Sequence, residues 1–432
     1  MTLLKNLPDK IDTTIRFLLY VLVLVIPISN AAVEICVSFS GVLWLIKRGY
    51  LITQARQRHR LSVKEFFKIL RPAKTILDIP IAVFLLVCIL SCLVNPNTGE
   101  KLADFFTKTL EWFAVFYFFA ETITRRKHFQ ILFGSFLVTT AVTAVDSLIQ
   151  YYITGVDLLR GREITRGGAC AAFNHANCLG AYLITAVPLM LAVGMSKVKK
   201  KIKMINAGIL GLMLWSLIIT YSRAAWISLG CALLLFVFLC RKKKLFVRLV
   251  AVLAVILLAV LILPDSFLKP FRLDQQSFQD TFSWRQDLWE DTMIMIGYKP
   301  WLGHGINTYM RLFQEYRRKA FEGIPYVIPQ PYSPTYAHNC YLQIAAEVGM
   351  LGLLSFLWIF FRLGRNSFRM IQQGFQKQNR HVIVYAGLIA GIAAFMIHSF
   401  FDTDLFSLRL GVYFWMILGL AVNFMRVHNQ QS

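Results

Sequence analysis

The stretch SWRQDLWED (Ser283–Asp291), followed by GYKPWLGHGINTY (Gly297–Tyr309) and AHNCYLQ (Ala337–Gln343), lies in the one long polar segment of the chain, about Pro264 to Gln343. On both sides the sequence is a succession of apolar runs. A polar segment of this length between apolar runs is too long to be a mere connector, and such loops usually carry function. The expectation is a lid that supplies half of an active site at a membrane surface.

Working outward, 57% of the residues are apolar and the mean hydropathy is +0.56, which excludes an ordinary soluble domain. Apolar runs long enough, or nearly so, to span a bilayer as helices fall at about 14–29, 31–46, 77–94, 102–120, 129–152, 174–195, 204–220, 224–240, 247–263, 341–361, 382–401 and 405–425. The expected fold is therefore an all-α polytopic membrane protein of about twelve transmembrane helices in one domain, residues 1–432. One large extracytoplasmic loop, 264–340, joins the ninth and tenth helices. The first apolar run leads directly into the second, so no cleavable signal peptide is expected.

The formal charge of +23 raises a nucleic-acid reading, but the placement of the charges argues against it. With both termini in the cytoplasm, thirty-one Lys and Arg fall in inner segments and only Lys101, Arg160, Arg162, Arg166 and Arg223 in short outer loops. That is the positive-inside pattern, and it turns the long loop outward. The basic inner loop 47–74, with Phe66, Phe67, Ile69 and Leu70, suits a helix lying on anionic membrane lipids. The eight cysteines form no CxxC pair; a disulfide among Cys170, Cys178 and Cys340 is open in principle, with nothing to favour it.

This orientation gathers scattered polar residues at one depth. Arg160, Arg162 and Arg166 lie in the outer 153–170 loop, and FNHANCLG (Phe173–Gly180), with His175 and Asn177, begins the next helix. TYSRAAW (Thr220–Trp226) sets Arg223 at the head of a helix, and Arg285, His338 and Asn339 come from the long loop. His398 and Asp402, four residues apart, would share one face at the outer end of the eleventh span. Each has a plainer reading. Arg223 could snorkel, Arg285 could meet lipid phosphate from an amphipathic Trp-rich stretch, and His338 could cap a helix. His175 and the His398/Asp402 pair suit structural contacts. The DxD at Asp402–Asp404 is a weak match on the wrong side of the membrane for nucleotide sugars, and no spacing argues for zinc.

Two arginines and a histidine around an outward cavity suit an anionic lipid-linked donor. Guanidinium groups offer bidentate donors to phosphate oxygens and stay charged. A diphosphate leaving group gains negative charge in the transition state and needs such a clamp. Histidine titrates near neutrality and can accept the proton of an attacking hydroxyl. Composition alone supports only an outward-facing membrane site for an anion; metal-independent glycosyl transfer is chemically compatible with it.

At these residues the chain resembles the bacterial O-antigen ligase and O-antigen polymerase superfamily. FNHANCLGAYL with Asn177, YSRAAW with Arg223, KPWLGHGINTY and YAHNCYLQIAAEVGMLGLLSFL (Tyr336–Leu357) carry the resemblance over about 200 residues, with a ligase-like core at 204–360. The resemblance implies transfer of a glycan from an undecaprenyl-diphosphate carrier, at the periplasmic face of the bacterial inner membrane, without a cofactor. The acceptor would be lipid A–core in a ligase or another carrier-linked unit in a polymerase. It implies that Arg223 and Arg285 (or nearby Arg272) hold the diphosphate and that His338 activates the acceptor. A single large loop leans toward ligase. A lipid-linked glycan transporter is the alternative from another class, but it should show internal repeats and mid-membrane charges, whereas these charges sit at the outer rim.

Overall fold

A computed structural model describes residues 6–58, 60–164, 167–262, 275–320, 336–379 and 381–429. Among them every extended element is a helix, and the only β pairing is the isolated bridge Val156–Glu163. In chain order the helices are α1 Leu7–Val25, α2 Asn30–Arg58, α3 Val63–Leu70, α4 Asp78–Leu93, α5 Thr98–Asp104 and α6 Leu110–Thr122. They continue with α7 Arg126–Ile149, α8 Ala176–Met195, α9 Lys200–Ile219, α10 Arg223–Leu239, α11 Lys243–Ile262 and α12 Gln275–Tyr298. The last four are α13 Tyr309–Ala320, α14 Cys340–Gln376, α15 Val382–His398 and α16 Leu408–Asn429.

Six of these are long and apolar enough to cross a membrane: α2, α7 with its π-helical extension, α8, α9, α14 and α16. Three shorter apolar helices, α4, α10 and α15, stand with them. Helices suit such a setting because each satisfies its own backbone polar groups. Several boundaries differ from those read in the sequence. The second run extends through Arg58, so Lys47 and Arg48 are helical residues rather than loop residues. There they meet Asp12 of α1 and Glu121 of α6, with Lys47 Nζ 2.7 Å from Asp12 and Arg48 Nη2 2.6 Å from Glu121. The 102–120 run divides into α5, a π-helical turn at Phe105–Thr109 and α6. Within the 264–340 loop the described residues are largely helical, in α12 and α13.

The core is densest where α15 lies on α8. A methyl group on Gly391 would come within 2.2 Å of the Thr185 carbonyl oxygen, so only glycine lets the two backbones approach this closely. Aromatic residues Phe113, Phe116, Tyr182, Tyr413 and Trp415 fill the interior around α6, α8 and α16.

One end of the bundle collects the loops. Cys340 N–H donates to the Ser399 carbonyl (2.8 Å), fixing the start of α14 to the end of α15. Ala169 N–H donates to the Ile219 carbonyl (2.9 Å), fixing the 167–175 loop to the α9–α10 turn. The α12/α13 pair forms its own small core there, with Leu288, Met295, Ile296, Tyr309 and Phe313 packed on Ala345 and Ala346 of α14.

The GHGIN segment of this pair docks onto a break in α14. Gly349 holds φ +81°, which interrupts the helix and frees backbone groups to pair outward. Met350 N–H then donates to the Pro300 carbonyl (2.7 Å), and Gly305 N–H to the Glu347 carbonyl (2.8 Å). The Glu347 carboxylate, 3% exposed, accepts from Asn307 N–H (3.0 Å), Tyr309 N–H (3.2 Å) and the Gln343 amide (2.9 Å). The KPWLGHGINTY and EVGMLG motifs are thus two halves of one joint.

Candidate functional site

His338 stands just before α14. Asn339 is the N-cap, its side-chain oxygen accepting from Tyr341 and Leu342 N–H, so the capping role falls to Asn339 and not to His338. His338 itself adopts φ +46°, a left-handed conformation that costs a non-glycine residue about 1–2 kcal/mol. Such backbone geometry persists only where the surroundings enforce it, and it clusters at functional sites.

Those surroundings are specific. His338 Nδ1 lies 3.0 Å from Asp402 Oδ1, and its ring packs at 5.0 Å, centroid to centroid, on Trp284 of α12. Asp402 Oδ2 accepts from the Asn177 amide at 2.7 Å, and Oδ1 also accepts from Thr403 N–H at 2.8 Å. With Nδ1–H given to the carboxylate, the His338 Nε2 lone pair is left as the basic position. The His338 side chain remains 33% exposed while Asp402 is 16% exposed. Burial pushes the Asp402 carboxyl up. The His338 hydrogen bond and the charges of His338, Arg285 and His398 overcome this and hold it well below the usual carboxylate range.

The i,i+4 pairing of His398 with Asp402 expected from their spacing is not what forms. Helix α15 ends at His398, and the chain turns before Asp402. His398 Nδ1 instead pairs with Asp404 Oδ2 at 2.7 Å, in a wholly buried contact. Asp402 is thereby released to His338. The two carboxylates of the DxD thus have separate partners: Asp402 meets His338 and Asn177, and Asp404 meets His398 and the Ser399 hydroxyl.

Arg285, half-buried on α12, acts electrostatically on both Asp402 and His398, so the long loop does bring its arginine to this cluster. Arg223 is half-buried at the first turn of α10, behind a left-handed Tyr221 and the N-cap Ser222. Its helix packs against Gly180 of α8, the helix that carries Asn177. Arg160 and Arg162 form a different group. Their backbone N–H groups close on the Asp157 carboxylate, and their charges bear on Arg409 rather than on Asp402. Exposed His175 is the N-cap position of α8 and makes no side-chain cap hydrogen bond there. Arg166 and Arg272 lie outside the described residues. All eight cysteines are free; Cys170 is held by Gln150, and Cys340 Sγ donates to the Asp402 carbonyl.

Arg409 is a site residue that the sequence reading passed over. It is 2% exposed, donates to the Pro27 (2.8 Å) and Ala172 (2.9 Å) carbonyls, and lies over the Phe173 ring. It anchors the loop that leads into Asn177. A lone arginine at the head of an otherwise apolar run was the available signal, since a charge there needs partners. Asp404 was visible only as part of the DxD, and its partner could not be read from spacing.

Chemically, the cluster presents a carboxylate-oriented imidazole with an exposed face beside a guanidinium. That pairing suits removal of a proton from a hydroxyl next to a bound anion. Residues 208–357, which include Arg223, Arg285 and His338, match the O-antigen ligase family. A curated O-antigen ligase of Pseudomonas aeruginosa is 24% identical over 304 residues, covering 69% of this chain and 66% of that protein.

Proposed function

With the O-antigen ligase superfamily as the chain's established likeness, we propose that it is a membrane glycosyltransferase that moves a glycan from an undecaprenyl-diphosphate carrier to a lipid A–core or similar acceptor. The observation that carries the reading is the His338–Asp402–Asn177 chain of hydrogen bonds with Arg285 beside it. His338 Nε2 takes the proton of the acceptor hydroxyl as its oxygen bonds to the anomeric carbon. The bond from that carbon to the diphosphate oxygen breaks, and the electron pair leaves with the diphosphate. Arg285 and Arg223 hold the diphosphate and stabilise the charge it gains. Asp402 keeps the imidazole oriented and stabilises it once protonated. Asn339 fixes the turn behind His338 as the cap of α14, and exposed His175 borders the substrates. The reaction so written needs no metal, and it should proceed undiminished in chelator.

The chain so read has twelve spans, and the arrangement of charge supports both termini in the cytoplasm and the His338 end of the bundle facing the periplasm. A reporter inserted in the 264–340 loop is expected to read as external; a cytoplasmic reading overturns the orientation. The deciding experiment gives purified protein a carrier-linked glycan with and without lipid A–core. Glycan on lipid A–core establishes a ligase. Longer carrier-linked chains in its absence establish a polymerase, and no product with authentic donor and folded protein refutes transfer.

A further inference from the structure

Asp402 lies inside the turn HSFFDTD (His398–Asp404), which leaves the end of α15. Backbone bonds close the first part of this turn. The His398 carbonyl accepts from Phe401 N–H (2.8 Å) and Asp402 N–H (3.1 Å). Side chains close the rest. His398 Nδ1 lies 2.7 Å from Asp404 Oδ2, and the Ser399 hydroxyl donates to the same oxygen at 3.3 Å. The two ends of the turn are thus joined across Asp402 by a pair whose side chains are 0% and 1% exposed.

The turn also forms one body with the chain that carries His338. Cys340 N–H donates to the Ser399 carbonyl (2.8 Å), and its thiol donates to the Asp402 carbonyl (3.4 Å). The middle of the turn is held more loosely, with Phe400 47% exposed and resting on the Trp289 ring. His398 Nε2 is buried without a hydrogen-bond partner among the described residues, so the imidazole makes its directed contact through Nδ1. A buried ion pair is often no more stabilising than apolar residues of similar volume. What it adds is direction, because a hydrogen bond fixes angle as well as distance.

Resting on the glycosyl-transfer reading, we infer that His398 and Asp404 are positioning residues for that reaction. Their pair holds the turn so that Asp402 Oδ1 faces His338 Nδ1 at 3.0 Å while Oδ2 faces the Asn177 amide at 2.7 Å. Neither residue meets a substrate, and both act through Asp402. The DxD is then one aligned carboxylate and one aligning carboxylate, with no shared ligand between them.

The test measures kcat, and KM for donor and acceptor, on purified full-length variants whose folding is checked by thermal unfolding. His398→Asn sets an amide N–H where Nδ1–H stands and keeps the bond to Asp404; its kcat should stay near the wild-type value. His398→Gln sets its amide where Nε2 stands and loses that bond. It should lower kcat about ten- to a hundredfold, the scale of a small misplacement in an aligned site, with both KM values unchanged. On an Asp402→Asn background the same substitution should cost nothing further, since the effect runs through Asp402. If the Gln variant does not fold, Ser399→Ala removes only the longer bond to Asp404, and it should lower kcat severalfold, again only where Asp402 is present. Wild-type kcat in the folded variants overturns the assignment, and so does equal loss with Asn and Gln. An undiminished loss on the Asp402→Asn background, or a change confined to KM, overturns it as well. All of these leave the transfer reading intact, whereas a wild-type protein that consumes no authentic donor overturns that reading and the positioning role with it.

Discussion

Two carboxylates at this end of the bundle, one buried and one partly buried, are built in opposite ways. Glu347 is 3% exposed and receives three hydrogen bonds, two from backbone N–H groups and one from Gln343. Its partners are all neutral, and they join the GHGIN segment to the broken helix α14. Asp402 is 16% exposed and is surrounded by His338, Asn177 and the charge of Arg285, with the His338 side chain 33% open. One network is closed and holds two segments together. The other is anchored behind and open in front. A satisfied buried network rigidifies, whereas a perturbed carboxylate beside an accessible imidazole suits the proton transfer proposed for it.

The largest expected effect separates the two directly. His338→Ala should lower glycan transfer about 10²–10⁴-fold, the contribution typical of a positioned general base. Asp402→Asn should fall in the same range, with thermal unfolding of the purified protein little changed in the first case. Retained activity in both variants removes the proton-transfer role.

Glu347→Ala is predicted to do the reverse. Two buried donors and one partly buried donor lose their acceptor, at about 1–3 kcal/mol each, so stability should fall by roughly 3 kcal/mol or more. The folded fraction should keep its specific activity. Thermal unfolding alongside a transfer assay checks this, and a stable but inactive protein would move Glu347 into the chemistry.

Asn177→Ala sharpens the comparison from the other side. It removes one charge-assisted bond to Asp402 and should slow transfer about tenfold, with donor KM unchanged. An effect on KM alone would make Asn177 a substrate contact rather than a support for Asp402.

The smallest effect is a pH dependence within the closed joint. His304 is 1% exposed, with Nε2 2.9 Å from the Met295 carbonyl. Burial lowers its pKa, only partly countered by that hydrogen bond, and Lys299 and Lys101 lower it further. The unfolded segment therefore binds a proton below about pH 6.5 when the folded one does not. Stability of the joint should be flat above about pH 7 and fall on acidification below 6.5, by at most ~1.4 kcal/mol per pH unit. Hydrogen exchange of the 299–309 amides measures it, and His304→Gln should remove the dependence. A joint that tightens on acidification contradicts this sign.

Much of this architecture was legible in the chain. Apolar runs announce helices because a helix is a local solution to its own backbone hydrogen bonds, and runs such as 174–195 and 204–220 correspond closely to α8 and α9. The polar residues of the proposed site were also visible as types: Arg223, Arg285 and His338 were singled out, and Asn177 with them. Less legible were interruptions. The π-helical turn at Phe105–Thr109 leaves no mark in the apolar pattern, and the break at Gly349 meets partners far along the chain, since Met350 pairs with Pro300 and Ser91 with Glu347.

The sequence by itself determined the all-helical class, the uneven distribution of its charge between loops and the short list of chemically capable residues. Each of these follows from composition and local spacing. Tertiary structure alone decided the pairings. Spacing favours His398 with Asp402, yet α15 stops at His398, which gives His398 to Asp404 and Asp402 to His338, 64 positions away in the chain. Which carboxylate orients which imidazole depends on where one helix ends and where a separate loop returns. No local pattern carries that information.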